Sequence, residues 1–458
     1  MLNYKFFFLI LFLFCFASIG LSANQTDTLL ISDITVISKD IKTKPSVIIR
    51  ELTFSKGELI DWYVLSEYEI GRSIANLKNL NLFNQINIVP TRHDKTISVE
   101  IEVVEKWYLW PIPFAEFADR NFNQWSTFDF DPYRTNFGLY LFKYNLFGLN
   151  HTMKATVGTG YTKTLGFEYI APYIDRKKRF GFTLDVRSKA NNEIRYNILD
   201  NKEQFFRSDH EALVKRKSAL AALIFRPGLY TRHTLSFNAV DIGIADTVTT
   251  ESLNPDYLYN QMSNQQLATL GYTISYDNRN NKLFPLTGIY TTIGAAITRG
   301  DMNFTTVGFD LNFYQPLPVP KLFSGLSYTY QDALNQDLPY VLNKAIGVGK
   351  NVRGYEQNLF LGDQFAIMRA ELRYLILPEK LYVLKYMPLK MYKTMPLESY
   401  VSLFYEQAQI IDRGLQNDIY GFGIGLNTLL YYDKVFRFEY SWNHWNNSGL
   451  KIHFKKAF

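Results

Sequence analysis

The chain has 458 residues, with 49 Lys and Arg against 43 Asp and Glu and a formal charge of +6. So small a basic excess, without a basic stripe interleaved with aromatics, gives no footing for nucleic-acid binding. The single cysteine, Cys15, excludes a disulfide framework, a Cys-based zinc site and, once the N-terminal segment is removed, a thiol nucleophile.

Residues 1–23 carry one cation, Lys5, then an apolar run from Phe6 to Phe16 and the small residues Ala17, Ser18, Gly20 and Ala23. This pattern predicts a secretory signal peptide, because the run is short for a bilayer span and no apolar stretch of spanning length follows. Phe14 precedes Cys15 where a lipoprotein signal would carry a small residue.

Residues 27–106 predict a small soluble α+β domain. Ile34 and Val36 suggest a strand, and Pro45 opens a short helix carrying Val47, Ile48, Ile49 and Leu52. Ser66-Glu67-Tyr68-Glu69 matches a capping box, after which Ile70, Ile74 and Leu77 share one helical face. Ile86 and Ile88, then Ile97, Val99, Ile101 and Val103, alternate around the turn Arg92-His93-Asp94-Lys95. This β-α-α-β-β order resembles a POTRA domain.

From residue 107 the helical period gives way to alternation, as in Tyr272, Ile274, Tyr276 and in Phe436, Phe438, Tyr440, Trp442. With 32 Tyr and 36 Phe available for interfacial girdles, residues 107–458 predict a transmembrane antiparallel β-barrel. A soluble β-sandwich or propeller is the competing reading. The export signal and the final strand Leu450, Ile452, Phe454, ending in Phe458, argue against it. That terminal aromatic resembles the C-terminal signal of outer-membrane barrels.

The stretch VRGY, Val352-Arg353-Gly354-Tyr355, is followed by Leu361-Gly362-Asp363. In order along the chain stand NLFGLN (145–150), YIAPYI (169–174), DNRNNKLFPLTG (277–288), RAELRYLILP (369–378), FYEQA (404–408) and GFGIGL (421–426). Together they resemble the POTRA-barrel superfamily of outer-membrane assembly and secretion proteins, the BamA/TamA type of the bacterial surface antigen family. The resemblance implies a barrel of sixteen strands, which average spacing also allows. It further implies a signature loop folded into the lumen, with Arg353 meeting acids on the wall at Glu371 and Glu406. The family more often has Asp at the second position, in a pattern like FVDAG. A planar guanidinium suits such carboxylates better than an ammonium.

In WYLWPIPFAEF (107–117), Pro111 and Pro113 remove two donors from one side of what would be the first barrel strand. This predicts a weakly paired seam against the last strand, at Ile452 and Phe454, that can open sideways. The resemblance attributes such a lateral gate to the family, templating client strands by β-augmentation. A proline-rich linker before the true first strand is the alternative.

No enzyme, metal or cofactor is expected. The six histidines lack metal-ligand spacing, there is no G-x-S-x-G elbow, and GVGKN (347–351) lacks the phosphate-loop pattern and reads as a strand or turn. His444, between Trp442 and Trp445, is expected at a strand end near the membrane interface. Loops are expected near 188–215, 244–264 and 332–350. The functional expectation is assembly, insertion or translocation of outer-membrane or exported proteins in the bacterial outer membrane, with the POTRA-like domain in the periplasm capturing unfolded polypeptide. Periplasmic or lipoprotein partners are compatible with it, and a passive pore or structural barrel retaining the loop is the alternative.

Overall fold

The computed structural model describes residues 27–453 apart from 38–40, 120–121, 251–252, 335–336, 344, 388–392 and 431–433. The expected signal peptide, Phe454 and Phe458 lie outside the described residues.

The N-terminal unit is a four-stranded sheet of β1 (Thr28–Ile37), β2 (Leu59–Asp61), β3 (Phe83–His93) and β4 (Thr96–Glu105), in the order β2-β1-β4-β3. β1 runs parallel to β4, and β3 and β4 form a hairpin. Ile97, Val99, Ile101 and Val103 turn one face of β4 inward, against Ile48 of helix α1 (Pro45–Ile49) and Leu77 of helix α2 (Ile70–Asn79). Two details differ from the expectation. The short β2 extends the β-α-α-β-β order, and the second helical run starts before Ser66. Asp61 caps it, its carboxylate accepting from the amides of Tyr63 and Val64 at 2.9 and 3.1 Å. Trp62–Val64 then leads through a π-helical turn, Leu65–Glu69, into α2. Ser66 sits inside this run with its hydroxyl donated to Tyr63 O, so the capping-box match was fortuitous.

A sixteen-stranded antiparallel sheet forms the rest. Its first strands are β5 (Leu109–Phe117), β6 (Thr135–Leu146), β7 (His151–Gly160), β8 (Thr162–Ala171) and β9 (Phe180–Asn191). A separate hairpin, β10 (Glu193–Leu199) and β11 (Lys202–Arg207), interrupts the order, because β9 pairs directly with β12 (Val214–Phe225). The region expected as a loop near 188–215 is therefore partly strand. The sheet continues through β13 (Thr231–Ile244), β14 (Asn264–Asp277), β15 (Gly288–Gly300), β16 (Phe304–Pro316) and β17 (Leu322–Asp332). It ends with β18 (Gln364–Val383), β19 (Thr394–Asp412), β20 (Leu415–Leu430), β21 (Lys434–Asn443) and β22 (Ser448–His453). Alternation along β21 buries Arg437, Glu439, Ser441 and Asn443 and leaves Phe438, Tyr440 and Trp442 outside. An apolar exterior around a polar interior is the arrangement of a membrane barrel.

The N-terminal unit docks on one rim, here called proximal, through the turns of that end. Glu51, 2% exposed, receives both terminal nitrogens of Arg226 at 2.6 and 2.8 Å and the Tyr173 hydroxyl at 2.7 Å. Arg50 donates to Gly228 O at 2.7 Å, and the Asn79 side chain bonds Arg279 O and Lys282 N. These contacts hold α2 beneath the turn 278–287.

Candidate functional site

The connection 333–363 enters the barrel from the distal rim. It touches Asp310 on β16 through Lys350, at 3.0 Å, and the β10–β11 turn through the Leu359 amide. An isolated bridge, Ile346 to Phe360, closes its neck, and the 347–350 segment is a tight turn with Gly347 N on Lys350 O. Val352, Tyr355 and Phe360 are buried against Phe365, Ile367, Ala408, Ile410 and Ile419 of the wall. Val352-Arg353-Gly354-Tyr355 is a β-turn closed by Tyr355 N on Val352 O, and Gly354 at φ +96° supplies the left-handed position.

That turn aims Arg353, 6% exposed, at three carboxylates. Nε donates to Glu406 at 2.7 Å, Nη1 to Glu439 at 2.9 Å and Nη2 to Glu371 at 3.4 Å, while the Arg353 amide donates to the other Glu406 oxygen at 2.7 Å. The guanidinium also lies over the Phe404 ring, 3.7 Å from its centroid. Each acid has a wall arginine as well: Arg369 beside Glu406, Arg373 beside Glu371 and Arg437 beside Glu439. Sequence reading missed Glu439. The signal was present in FRFEYSWN, where aromatics at Phe438, Tyr440 and Trp442 take the lipid side and leave Glu439 facing inward.

Glu371 is shared between two ends of the barrel. Its Oε2 accepts from Arg353 and, at 3.3 Å, from Arg373. Arg373, 1% exposed, donates to Pro285 O and lies over the Phe284 ring. Phe284 and Pro285 belong to the proximal turn 278–287, which enters the lumen to pack against Tyr400, Leu429 and Val435. Side chains of Asn278, Asn280 and Asn281 satisfy the backbone of this turn, which explains the asparagine-rich motif. Elements from both rims thus occupy the interior.

Glycines in GFGIGL let the loop reach the wall. A Cβ on Gly421 would stand 2.1 Å from Arg353 O, and one on Gly423 would stand 2.6 Å from the Phe404 ring. Gly421→Ala is expected to lift the loop, costing about 1–3 kcal/mol of docking. Faster hydrogen exchange at the Arg353 to Tyr355 amides, with the barrel ladder unchanged, is the check. His444 is not merely a membrane-interface residue. Its Nδ1 pairs with the Tyr355 hydroxyl, whose proton goes to Tyr420 O at 3.0 Å, so it braces the loop.

At the ends of the sheet, β5 pairs with β6 through residues 109–117, so the proline-bearing segment is a strand rather than a linker. Tyr144 N donates to Tyr108 O and Ala118 N to Arg134 O, in unbroken register. Even-numbered residues therefore turn their backbone groups to β6, and the nitrogens of Pro111 and Pro113 face the open edge. Among the described residues no ladder joins β5 to β22. Pairings followed around the sheet put Ile112 and Lys451 on the lumen face and Ile452 on the outer face. Lys451 Nζ lies 3.9 Å from Glu356 of the loop.

A small α+β unit docked under a sixteen-stranded antiparallel sheet, with a loop bound inside, defines a membrane-type barrel with an appended domain. The Omp85 superfamily domain matches residues 145–382, more than half of the chain, and the chain belongs to that superfamily. Among solved structures it is similar to BamA from Haemophilus ducreyi lacking POTRA domains 1–3, at 13% identity and TM-score 0.51, over 93% of this chain and 83% of that one. CdiB from Escherichia coli is similar at 13% identity and TM-score 0.51, over 93% and 75%. No curated protein sequence matches.

Proposed function

We propose that this protein assembles or translocates polypeptides at the bacterial outer membrane. In this reading, residues 27–106 form a periplasmic POTRA-like domain that receives unfolded client, and residues 107–458 form the barrel whose seam passes or templates it. The carrying observation is the edge of β5 turned away from β6, where Pro111 and Pro113 offer no amide donor and, among the described residues, no ladder to β22 forms. A seam so built costs little to open, and an opened strand edge pairs readily with another chain. Superfamily membership and the BamA and CdiB folds agree with this reading. A passive pore fits less well, because the signature loop and the 278–287 turn occupy the interior.

The test traps the seam. Cysteines at Leu109 or Ala115 are paired with cysteines at Leu450 or Ile452, all on the outer face by strand register. In liposomes, one such pair is expected to form a disulfide that stops the protein from accelerating the folding of a urea-unfolded barrel client, with recovery on reduction. Full acceleration in the crosslinked protein would refute passage at the seam.

A further inference from the structure

The β18–β19 hairpin runs past its neighbours on the proximal rim. β17 ends at Leu322, opposite Tyr374, whereas β18 continues to Val383 and pairs there with Thr394. The extension from Leu375 is on the order of 30 Å of strand. Its backbone edge is blunted, because register shifts flank Leu377 and the segment carries Pro378 and Lys380. Prolines, bulges and lysines are what protect an edge from strand addition, so its side-chain faces are the available surface.

Those faces are unlike a solvated hairpin, which keeps one face polar. By register, Tyr382, Met395 and Leu397 continue the outer wall of Leu372, Tyr374 and Leu403, while Leu381 and Val383 are 59% and 63% exposed on the other face. Tyr386 near the tip is 98% exposed. Lys380, Lys385 and Lys393 are exposed among these residues, and no acidic residue stands between Glu379 and Glu398. Aliphatic and tyrosine side chains interleaved with lysine suit a headgroup layer, where rings and stems bury and ammonium groups meet phosphates.

We propose that this hairpin is an interfacial anchor that docks on anionic phospholipid in the leaflet at the proximal rim. Continuity with the lipid-facing wall favours a lipid surface over a protein partner, and the uninterrupted positive charge selects anionic headgroups. The barrel wall holds the hairpin beside that leaflet, so the effective concentration of lipid is high. This inference requires only that the barrel spans a bilayer, and it stands apart from the seam reading.

The test uses the full chain with Cys15→Ser and Tyr386→Cys, labelled with an environment-sensitive fluorophore, in nanodiscs of phosphatidylcholine with or without phosphatidylglycerol. The expected result is a blue shift and several-fold stronger quenching by headgroup spin-labelled lipid in the anionic discs. Both are expected to be lost in the Lys380→Gln, Lys385→Gln, Lys393→Gln variant, whose unheated gel mobility verifies a folded barrel. Equal access of aqueous iodide to the label in both lipids would overturn the proposal. So would a shift that appears only with added periplasmic extract or at higher protein-to-disc ratio, since that would assign the surface to a protein partner or a second copy.

Discussion

Arg353→Ala is expected to release the signature loop while leaving the barrel folded. Glu371, Glu406 and Glu439 keep their wall arginines, so the wall survives, but the loop loses its side-chain bonds to all three. Losing hydrogen bonds to charged partners, each worth about 1.5–3 kcal/mol, moves the docking equilibrium by an order of magnitude or more. Hydrogen exchange over 352–360 should rise accordingly while the strands stay protected. On the assembly function proposed above, acceleration of client folding in liposomes should fall with it. Arg353→Lys should recover only part of the effect, because three separate nitrogens address three carboxylates and one ammonium cannot span them. Unchanged exchange in the alanine variant would show that apolar packing alone holds the loop.

The second large effect lies at the junction of the two parts. Glu51→Ala leaves Arg226 partly buried beside Arg50 with no carboxylate between them, and undocking of the N-terminal unit by about 3–5 kcal/mol is expected. Spin labels on the unit and on the rim should then report a broadened distance distribution. The same junction carries a pH dependence. Burial opposes ionisation of Glu51, but the Arg226 guanidinium and the Tyr173 hydroxyl outweigh it and hold the carboxyl below its usual range. A depressed carboxyl stabilises docking above its undocked pKa, and that contribution is lost as pH falls through the docked value. Docking should therefore persist through the ordinary glutamate range and weaken only below it. Glu51→Gln should abolish this acid transition, and a transition of the same size in that variant would assign it to another group.

Much of the architecture was legible because two periods are local. Ile97, Val99, Ile101 and Val103 alternate in β4 and Phe436, Phe438, Tyr440 and Trp442 in β21, and Ile70, Ile74 and Leu77 recur at helical spacing, so element type followed from spacing alone. Caps were less legible, since Asp61 and Ser66 are both competent and only the chain path selects one. The β10–β11 hairpin was hidden because the alternation of Ile194, Tyr196 and Ile198 is short and its pairing bypasses the main sheet.

By itself the sequence determined the alternating barrel strands, the compact α+β unit and the two proline nitrogens of the first strand. Those follow from backbone restrictions and side-chain periods that act within a few residues. Only the tertiary structure decided that Glu439 completes the arginine site, that Glu371 serves Arg353 and Arg373 together, and that Glu51 meets Arg226. These contacts join groups 86, 18 and 175 residues apart. Which charges meet across such distances depends on sheet register and closure, because a one-residue slip would turn every partner to the other face.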